Sequence, residues 1–478
     1  MPGPSKTPGV YVEEIPKFPP SVAAVPTAIP AFVGYTQQAQ RTTANDLHLQ
    51  PTRITSMAEY RQYFGGPQPE TAVAVTITGT LKAAGKSATN VVATLAETAR
   101  SRHILYYAMQ LFFANGGGPC YIASVGLYKP LGTALVLAEL TAGLAVLRAA
   151  DELTLLVLPE AQALASIIDF KALQDLALAQ CALRQDRFVL LDVHGDGVSL
   201  NEPGPDFLTV INNFRRSGIS SGNLRYGAAY APNLATVLDY AVDEGAVVVH
   251  SFQGFKRATI TTLSSLATTN PQRYELAKAA IRDLPCKLPP SAAVAGVYAT
   301  VDASRGVWKA PANVSLVAVL KPTFALTNAQ QDQLNVDPVA GKSVNAIREF
   351  VGKGTLVWGA RTLAGNDSEW RYVNVQRLFL FVEESVKKAI QPFGFEPNDA
   401  TTWGRVQSMV ENFLLTLWRQ GALPGIKPEH AFYVAVGLGR TMTALDILEG
   451  RMVVEMGLAA TRPAEFIVRR LVCRMASA

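Results

Sequence analysis

The sequence predicts a multidomain protein of mixed α/β and α+β class, with extended β-strand arms at both ends. Three observations carry that expectation. From about 137 to 358, helical stretches alternate with short apolar runs at 153–158, 188–193, 246–249, 294–298 and 355–358, the pattern of an α/β layer around a largely parallel sheet. After Gly359 the period lengthens into amphipathic helices. At the two ends, 8–15 and 465–473 are β-prone runs set apart from the body by prolines. The expected division is an arm and tether over 1–30, the first part of the core with a small insertion over 31–136, an α/β domain over 137–358, a C-terminal domain over 359–462 and a terminal strand over 463–478. A chain of 478 residues is too long for one ordinary core, which fits such a division.

Each element follows from local chemistry. Val10 and Val12 alternate with Tyr11 and Glu13, followed by Glu14, as in a strand. Pro16, Pro19, Pro20, Pro26 and Pro30 then hold the backbone extended and deny it ladder donors, so this first strand is a tethered arm. A strand is expected over 31–35 and a helix over 55–64, started by a Ser/Thr cap and stopped at Gly65-Gly66. Ile104, Ala108, Leu111 and Phe112 keep helical spacing, and Asn115-Gly116-Gly117-Gly118 supplies a C-cap before a strand over 120–125. Helices are expected over 375–390, with Glu383/Lys387 and Glu384/Lys388 at i,i+4, and over 405–420. The second buries a stripe of Val406, Met409, Val410, Phe413, Leu414 and Leu417, widened by Leu415 and Trp418 and ended by Gly421. At the C-terminus, Phe466, Ile467 and Val468 lead into Arg469 and Arg470. One end strand is therefore acidic and the other basic, and facing opposite charges favour a pairing by roughly 0.2–1 kcal/mol each.

Composition excludes several classes. Half the chain is hydrophobic (49%) and only 17% is charged, which argues against disorder and for extra buried interface. No apolar run reaches the ~18 residues of a membrane span. The net charge of +5 is spread along the chain, so no nucleic-acid partner is expected. Cys120, Cys181, Cys286 and Cys473 have neither C-x-x-C spacing nor near neighbours, so they read as core thiols of a reducing compartment. The proline-rich start has no apolar signal region, and cytoplasmic synthesis is expected.

Catalytic motifs are weak. Gly218-Ile219-Ser220-Ser221-Gly222 matches G-x-S-x-G, but a nucleophile elbow needs a strand before the serine and a helix after it, and here the order is reversed. An α/β hydrolase or protease using Ser220 is the alternative function. Asp192-Val193-His194-Gly195-Asp196-Gly197 follows a strand and reads as a turn. Gly341-Lys342-Ser343 and Gly85-Lys86-Ser87 each lack a correctly spaced first glycine for a phosphate loop. The five histidines show no zinc-ligand spacing. No catalytic, cofactor or metal residue is assigned, and the expectation is a non-enzyme.

The chain resembles the sheath subunits of contractile phage tails, tailocins and extracellular contractile injection systems. The carriers are Pro8-Gly9-Val10-Tyr11-Val12-Glu13-Glu14, Pro289-Pro290-Ser291 leading into Val294-Ala295-Gly296-Val297-Tyr298, and the stretches 305–313, 354–363, 369–375 and 463–467. Ala292 and Gln376 depart from the residues usual at those positions. The resemblance implies a subtilisin-like α/β middle domain, a C-terminal α+β sheath domain, and terminal arms (Val10–Glu14 and Phe466–Arg470) that complete a β-sheet shared between subunits. It further implies stacked hexameric rings around an inner tube protein, with baseplate and terminal cap proteins as further partners and no cofactor, direct membrane insertion or nucleic acid. Assembly in the cytoplasm would be followed by residence in a phage tail or tail-like particle. Glu411, Leu415, Trp418 and Arg419 are the candidate inner-tube contacts, on the helix face the fold need not cover.

Overall fold

The computed structural model describes residues 21–81, 87–195, 207–253, 259–460 and 466–474. In chain order it begins with β1 (Pro30–Thr36), β2 (Thr52–Ile54), α1 (Met57–Phe64), β3 (Ala74–Leu81), β4 (Ser87–Thr94), α2 (Leu105–Ala114), β5 (Cys120–Leu127) and α3 (Leu137–Val146). Next come β6 (Leu155–Val157), α4 (Ile167–Arg184), β7 (Phe188–Asp192), α5 (Phe207–Asn213), β8 (Gly227–Ala231), β9 (Leu234–Thr236), β10 (Val248–Gln253) and β11 (Thr259–Thr262). They are followed by α6 (Leu263–Thr269), α7 (Pro271–Arg282), β12 (Cys286–Leu288), α8 (Ser291–Arg305), β13 (Val314–Ser315), β14 (Val319–Pro322), α9 (Asn328–Asn335), β15 (Val344–Phe350) and β16 (Gly354–Val357). The last are α10 (Val373–Ile390), α11 (Ala400–Arg419), α12 (Pro428–Ala431), β17 (Phe432–Val436), α13 (Ala444–Leu448), β18 (Arg451–Ala459) and β19 (Phe466–Arg474).

The described residues divide into two compact units, one within 26–381 and one within 382–474 together with 21–25. In the larger unit the main sheet has the order β13-β16-β15-β8-β7-β6-β1-β5-β2. Its centre is parallel from β15 to β5, and its edges, β2 on one side and β16 with β13 on the other, run antiparallel. The strands are short and apolar because both faces are covered. Strand β1 shows how. A side chain added at Gly143 of α3 would strike Val33, whereas one added at Gly34 would meet Leu105 of α2. Successive strand residues point to opposite faces, so α3 and α2 lie on opposite sides of the sheet. On the α2 side Phe32 meets Phe112 edge-on at 5.1 Å, and α8 packs against α2 at Gly296, where a Cβ would lie 2.6 Å from the Phe112 carbonyl oxygen.

Two expectations are corrected. Residues 294–298, read as a strand, lie inside the helix α8: a five-residue apolar run cannot be told from a buried helix turn by periodicity alone. The run at 246–249 enters β10, but that strand joins a separate four-stranded sheet, β11-β10-β3-β4. This small sheet has its own core, in which Val73, Val75 and Ile77 meet Val247, Val249, Leu263, Leu266, Ala277 and Ile281. The small insertion is thus built from two chain segments far apart in sequence.

Local signals hold elsewhere. Ser56 caps α1 by accepting from the Glu59 N–H, and α1 ends at Gly65. Gly116, at φ 86°, turns the chain after α2 as a left-handed residue without Cβ can. Of the two expected i,i+4 pairs on α10, Lys388 reaches Glu384 at 3.4 Å, whereas Lys387 reaches the same Glu384 at 3.2 Å, one residue nearer than its expected partner Glu383. In the smaller unit, α11 starts five residues earlier than expected, with Asp399 accepting from the Thr402 N–H. Among the described residues, no helix is long and apolar enough to cross a membrane.

Candidate functional site

Ser220 follows the π-helical turn Phe214–Gly218 and precedes a short 3₁₀ turn and β8, the reverse of a nucleophile elbow. Its hydroxyl donates to Asp175 Oδ2 at 2.6 Å and accepts from Lys171 Nζ at 2.6 Å, while its backbone N–H donates to Asp175 Oδ1 at 2.9 Å. Lys171 and Asp175, one turn apart on α4, form an ion pair at 2.8 Å. Burial pushes the Asp175 carboxyl up, but the bonds from Lys171 and Ser220 outweigh it and hold it below the ordinary value. The proton that a nucleophilic serine must surrender to a base is directed at a stabilised carboxylate, and the lysine donates rather than accepts. The cluster ties a loop to α4. His194 is buried elsewhere, with Nε2 2.9 Å from the Leu164 carbonyl and its ring against Phe170.

Another serine–carboxylate pair went unread in the sequence. Asp192, at the end of β7, accepts from the backbone N–H of Ser291 at 2.9 Å and from its hydroxyl at 2.5 Å. Both residues are fully or almost fully buried. Ser291 opens α8, so the Pro289-Pro290-Ser291 motif builds a helix start plugged by a carboxylate from the sheet. Glu160 repeats the arrangement at α2: its oxygens accept from the backbone N–H groups of Tyr35 at 2.9 Å and Leu105 at 3.3 Å. Burial pushes Asp192 up to about 7 and Glu160 up to about 8 against these bonds. These are sealed helix plugs that no substrate could reach.

Lys342, from one of the near-miss phosphate loops, is buried, and its ammonium donates to the carbonyl oxygens of Arg215 and Ile219 at 2.5 and 2.7 Å. It satisfies the open carbonyls of the π-helical turn and is not available to a phosphate. Gly85-Lys86 of the other lies outside the described residues. Burial pushes the thiols of Cys120, Cys181 and Cys286 up, as expected for inert core cysteines. Among the described residues, no group of three or more His, Cys, Asp or Glu side chains could hold a metal ion.

The described candidate assembly residues fall in the smaller unit. Val10, Tyr11, Val12, Glu13 and Glu14 lie outside the described residues. Phe466, Ile467, Val468, Arg469 and Arg470 belong to β19, which pairs antiparallel with β18 along its whole length, from Phe466 opposite Ala459 to Arg474 opposite Arg451. The sheet order is β17-β18-β19, so among the described residues β19 has a strand on one edge only. The register sets Arg470 opposite Glu455 and Arg469 opposite Met456, so part of the basic strand already has an acidic cross-strand neighbour in its own chain.

On α11 the expected stripe, Val406, Met409, Val410, Phe413, Leu414 and Leu417, is buried. Glu411, Leu415 and Trp418 are half-buried and Arg419 is exposed. The Trp418 indole N–H donates to the Gly425 carbonyl at 2.9 Å and Glu411 accepts from Gln407 at 2.8 Å, so Arg419 is the most open of the four.

Residues 365–474 match the family described as phage tail sheath C-terminal domain. The tail sheath protein of Burkholderia phage BcepMu is 30% identical over 147 residues, a stretch spanning 29% of this chain and 30% of that protein. Over nearly the full length, the helical sheath of the anti-feeding prophage in its contracted state is similar at 31% identity and a TM-score of 0.61, covering 98% of this chain and 99% of the other. The PVC sheath complex of an extracellular contractile injection system, also contracted, is similar at 29% identity and a TM-score of 0.62, covering 98% and 97%. With a family match on the C-terminal quarter and full-length relatives in two assembled sheaths, the chain belongs to the family of contractile tail sheath proteins.

Proposed function

We propose that this chain is the repeating subunit of a sheath that polymerises as stacked six-subunit rings around an inner tube and contracts to drive that tube through a target envelope. The observation that carries this reading is the match over 98% of the chain to the helical sheath of the anti-feeding prophage at 31% identity. A structural role without catalysis fits Ser220 tied to Asp175 and Lys342 spent on backbone carbonyls. With no nucleotide site assigned, the energy for contraction would be stored in subunit packing and released as new interface is buried.

In this reading the middle of the chain has a subtilisin-like topology, a likeness of shape alone. The arm of residues 1–20 adds a strand at the open edge of β19 in a neighbouring copy, a β-augmentation, and the proline tether lets subunits rotate without parting. The α11 face with Glu411, Leu415, Trp418 and Arg419 turns toward the inner tube. Baseplate and terminal cap proteins hold the ends. Assembly takes place in the cytoplasm, and the finished particle, phage tail or tail-like, leaves on lysis.

Electron microscopy of the purified chain, alone and co-expressed with an inner tube protein from the same gene neighbourhood, tests the reading. Striated tubes with six-fold rings are expected. Dispersed particles under both conditions would overturn it.

A further inference from the structure

Helix α4 is apolar on two opposite faces. Its inner face, with Phe170, Leu173, Ala177, Leu178 and Cys181, is buried in the main core. Its outward centre carries Ile168, Ala172, Leu176, Ala179 and Leu183, spaced by 4, 4, 3 and 4 residues along nearly the whole helix. Ile168 is 72% exposed, Leu176 47% and Leu183 64%. A helix apolar all round is ordinarily one that is covered all round, and aligned exposed aliphatics mark contact surfaces more than scattered ones do.

The stripe is preformed. Ser166 caps the helix by accepting from the Ile168 N–H, and Gln185 closes it in the left-handed conformation. Most charges beside it are already matched within the chain, Lys171 with Asp175 at 2.8 Å, and Arg184 with Asp151 at 2.7 Å and Asp186 at 2.8 Å, and Asp169 of the first turn is the one beside the stripe without an ion pair among the described residues. A partner therefore meets a surface that is apolar along its centre, with a single unpaired carboxylate at its N-terminal end. Alanines alternating with leucines leave hollows that let another apolar element approach closely.

We propose that the outward face of α4 is a contact surface for a second copy of this chain, engaged only when copies are held side by side in the sheath. The inference rests on the sheath reading above. The size of the stripe selects the occupant. It is about 22 Å long and one helix, roughly 10 Å, wide, on the order of 200 Å² against the ~800 Å² per partner of a standard stable interface. That is too little to capture a partner from solution. It suits a contact whose partner is already held nearby by other interactions, because the second contact then forms at high effective concentration. Copies of the chain itself meet that condition at every position of a sheath. Two α4 helices cannot face each other there: a self-complementary contact needs a twofold axis, and subunits that all point one way along a tube have none between them. The surface met by α4 is a different apolar patch on the neighbouring copy.

The test uses the full chain with the photo-reactive residue p-benzoylphenylalanine in place of Leu176, assembled from an equal mixture of ¹⁴N- and ¹⁵N-labelled subunits, with mass spectrometry of the cross-links. Mixed-label cross-links in tubes are expected, and none in free subunits. In parallel, Leu176→Glu with Leu183→Glu should leave the melting temperature of the free subunit unchanged and lower the yield of sedimentable tubes at least tenfold. Wild-type tubes together with same-label cross-links only, cross-links to a different protein, or a double variant assembling at wild-type yield would each overturn the α4 surface while the sheath reading stands. Wild-type protein that forms no tubes takes both down.

Discussion

Arg377 grips Asp302 through both arms of its guanidinium, at 3.0 and 2.5 Å, with both side chains buried. The nitrogen at 2.5 Å from Asp302 also donates to the Thr27 carbonyl at 2.7 Å, and the guanidinium lies 4.6 Å above the Tyr298 ring. One side chain thus joins the start of α10, the helix α8 and the root of the N-terminal tether. Removing one member of a buried pair strands the other charge away from water, at a cost of about 3–5 kcal/mol. Asp302→Ala should therefore lower the urea midpoint sharply. Arg377→Lys, which keeps the charge but not the planar fork, should recover part of the loss. Equal midpoints for wild type and Asp302→Ala would show that the pair contributes nothing.

The two serine–carboxylate pairs should rank by burial. Ser291→Ala leaves the sealed Asp192 with one donor instead of two, a loss of about 1–3 kcal/mol. Ser220→Ala costs about 1 kcal/mol or less, since the backbone N–H still reaches Asp175. Chemical denaturation gives the order. A hydrolase screen should give the same background for wild type, Ser220→Ala and His194→Ala, and turnover lost in either variant would reinstate the hydrolase.

Stability should fall toward alkaline pH. Burial raises Asp192 from 3.8 to about 7 and Glu160 from 4.5 to about 8, so between the ordinary and raised values the folded chain holds protons that the unfolded chain releases. The stabilisation is complete below the ordinary values and is lost as pH rises through about 7 and then about 8, with a slope of up to about 1.4 kcal/mol per pH unit for each group. Melting curves from pH 5 to 9 should show the decline, and Glu160→Gln should flatten its upper part. An unchanged slope in that variant would remove Glu160 as the source.

Arg419→Glu should leave the melting temperature within about 1 °C of wild type, because an exposed charge contributes little to stability, yet reduce the fraction of sheaths that enclose an inner tube. Micrographs of co-expressed sheath and tube count that fraction directly. Wild-type enclosure would take Arg419 out of the attachment surface.

Where a local rule governs, the sequence was readable. The Ser56 cap, the turn at Gly116 and the stripe from Val406 to Leu417 depend on neighbours within a few residues, and each was visible from spacing. Residues 294–298 were not, because five apolar residues satisfy strand and helix alike, and only the packing of Gly296 against α2 decides. The small sheet joins 74–94 to 248–262 across more than 150 residues, and no local pattern encodes that meeting. Asp192 with Ser291 and Arg377 with Asp302 are likewise partners of the tertiary fold. The α4 stripe was present in the residues, but with both faces of the helix apolar, nothing in the sequence distinguished the face buried at home from the outward one.

The terminal strands carry the remaining test. Among the described residues β19 has a strand, β18, on one edge only, and an open strand edge is a template for another strand. Val10 to Glu14 have the alternation to fill it, and prolines between them and β1 favour an extended tether. Deleting residues 1–20 should leave a folded subunit by circular dichroism that forms no tubes. Reversing Glu13 and Glu14 to lysine should impair assembly, and adding Arg469→Glu with Arg470→Glu should restore only part of it, since Arg470 also faces Glu455 and its reversal sets two carboxylates across from each other. Each contact is small, but a sheath repeats it at every subunit. The direct measurement is a Val12→Cys, Val468→Cys chain in a Cys473→Ser background, which removes the native thiol of the same strand. Oxidised tubes should give covalent ladders of several subunits wherever the two positions come within disulfide distance. Chains that cross-link only internally, as monomers, would show that both strands fold back on their own subunit, and the shared sheet would then be wrong for this protein.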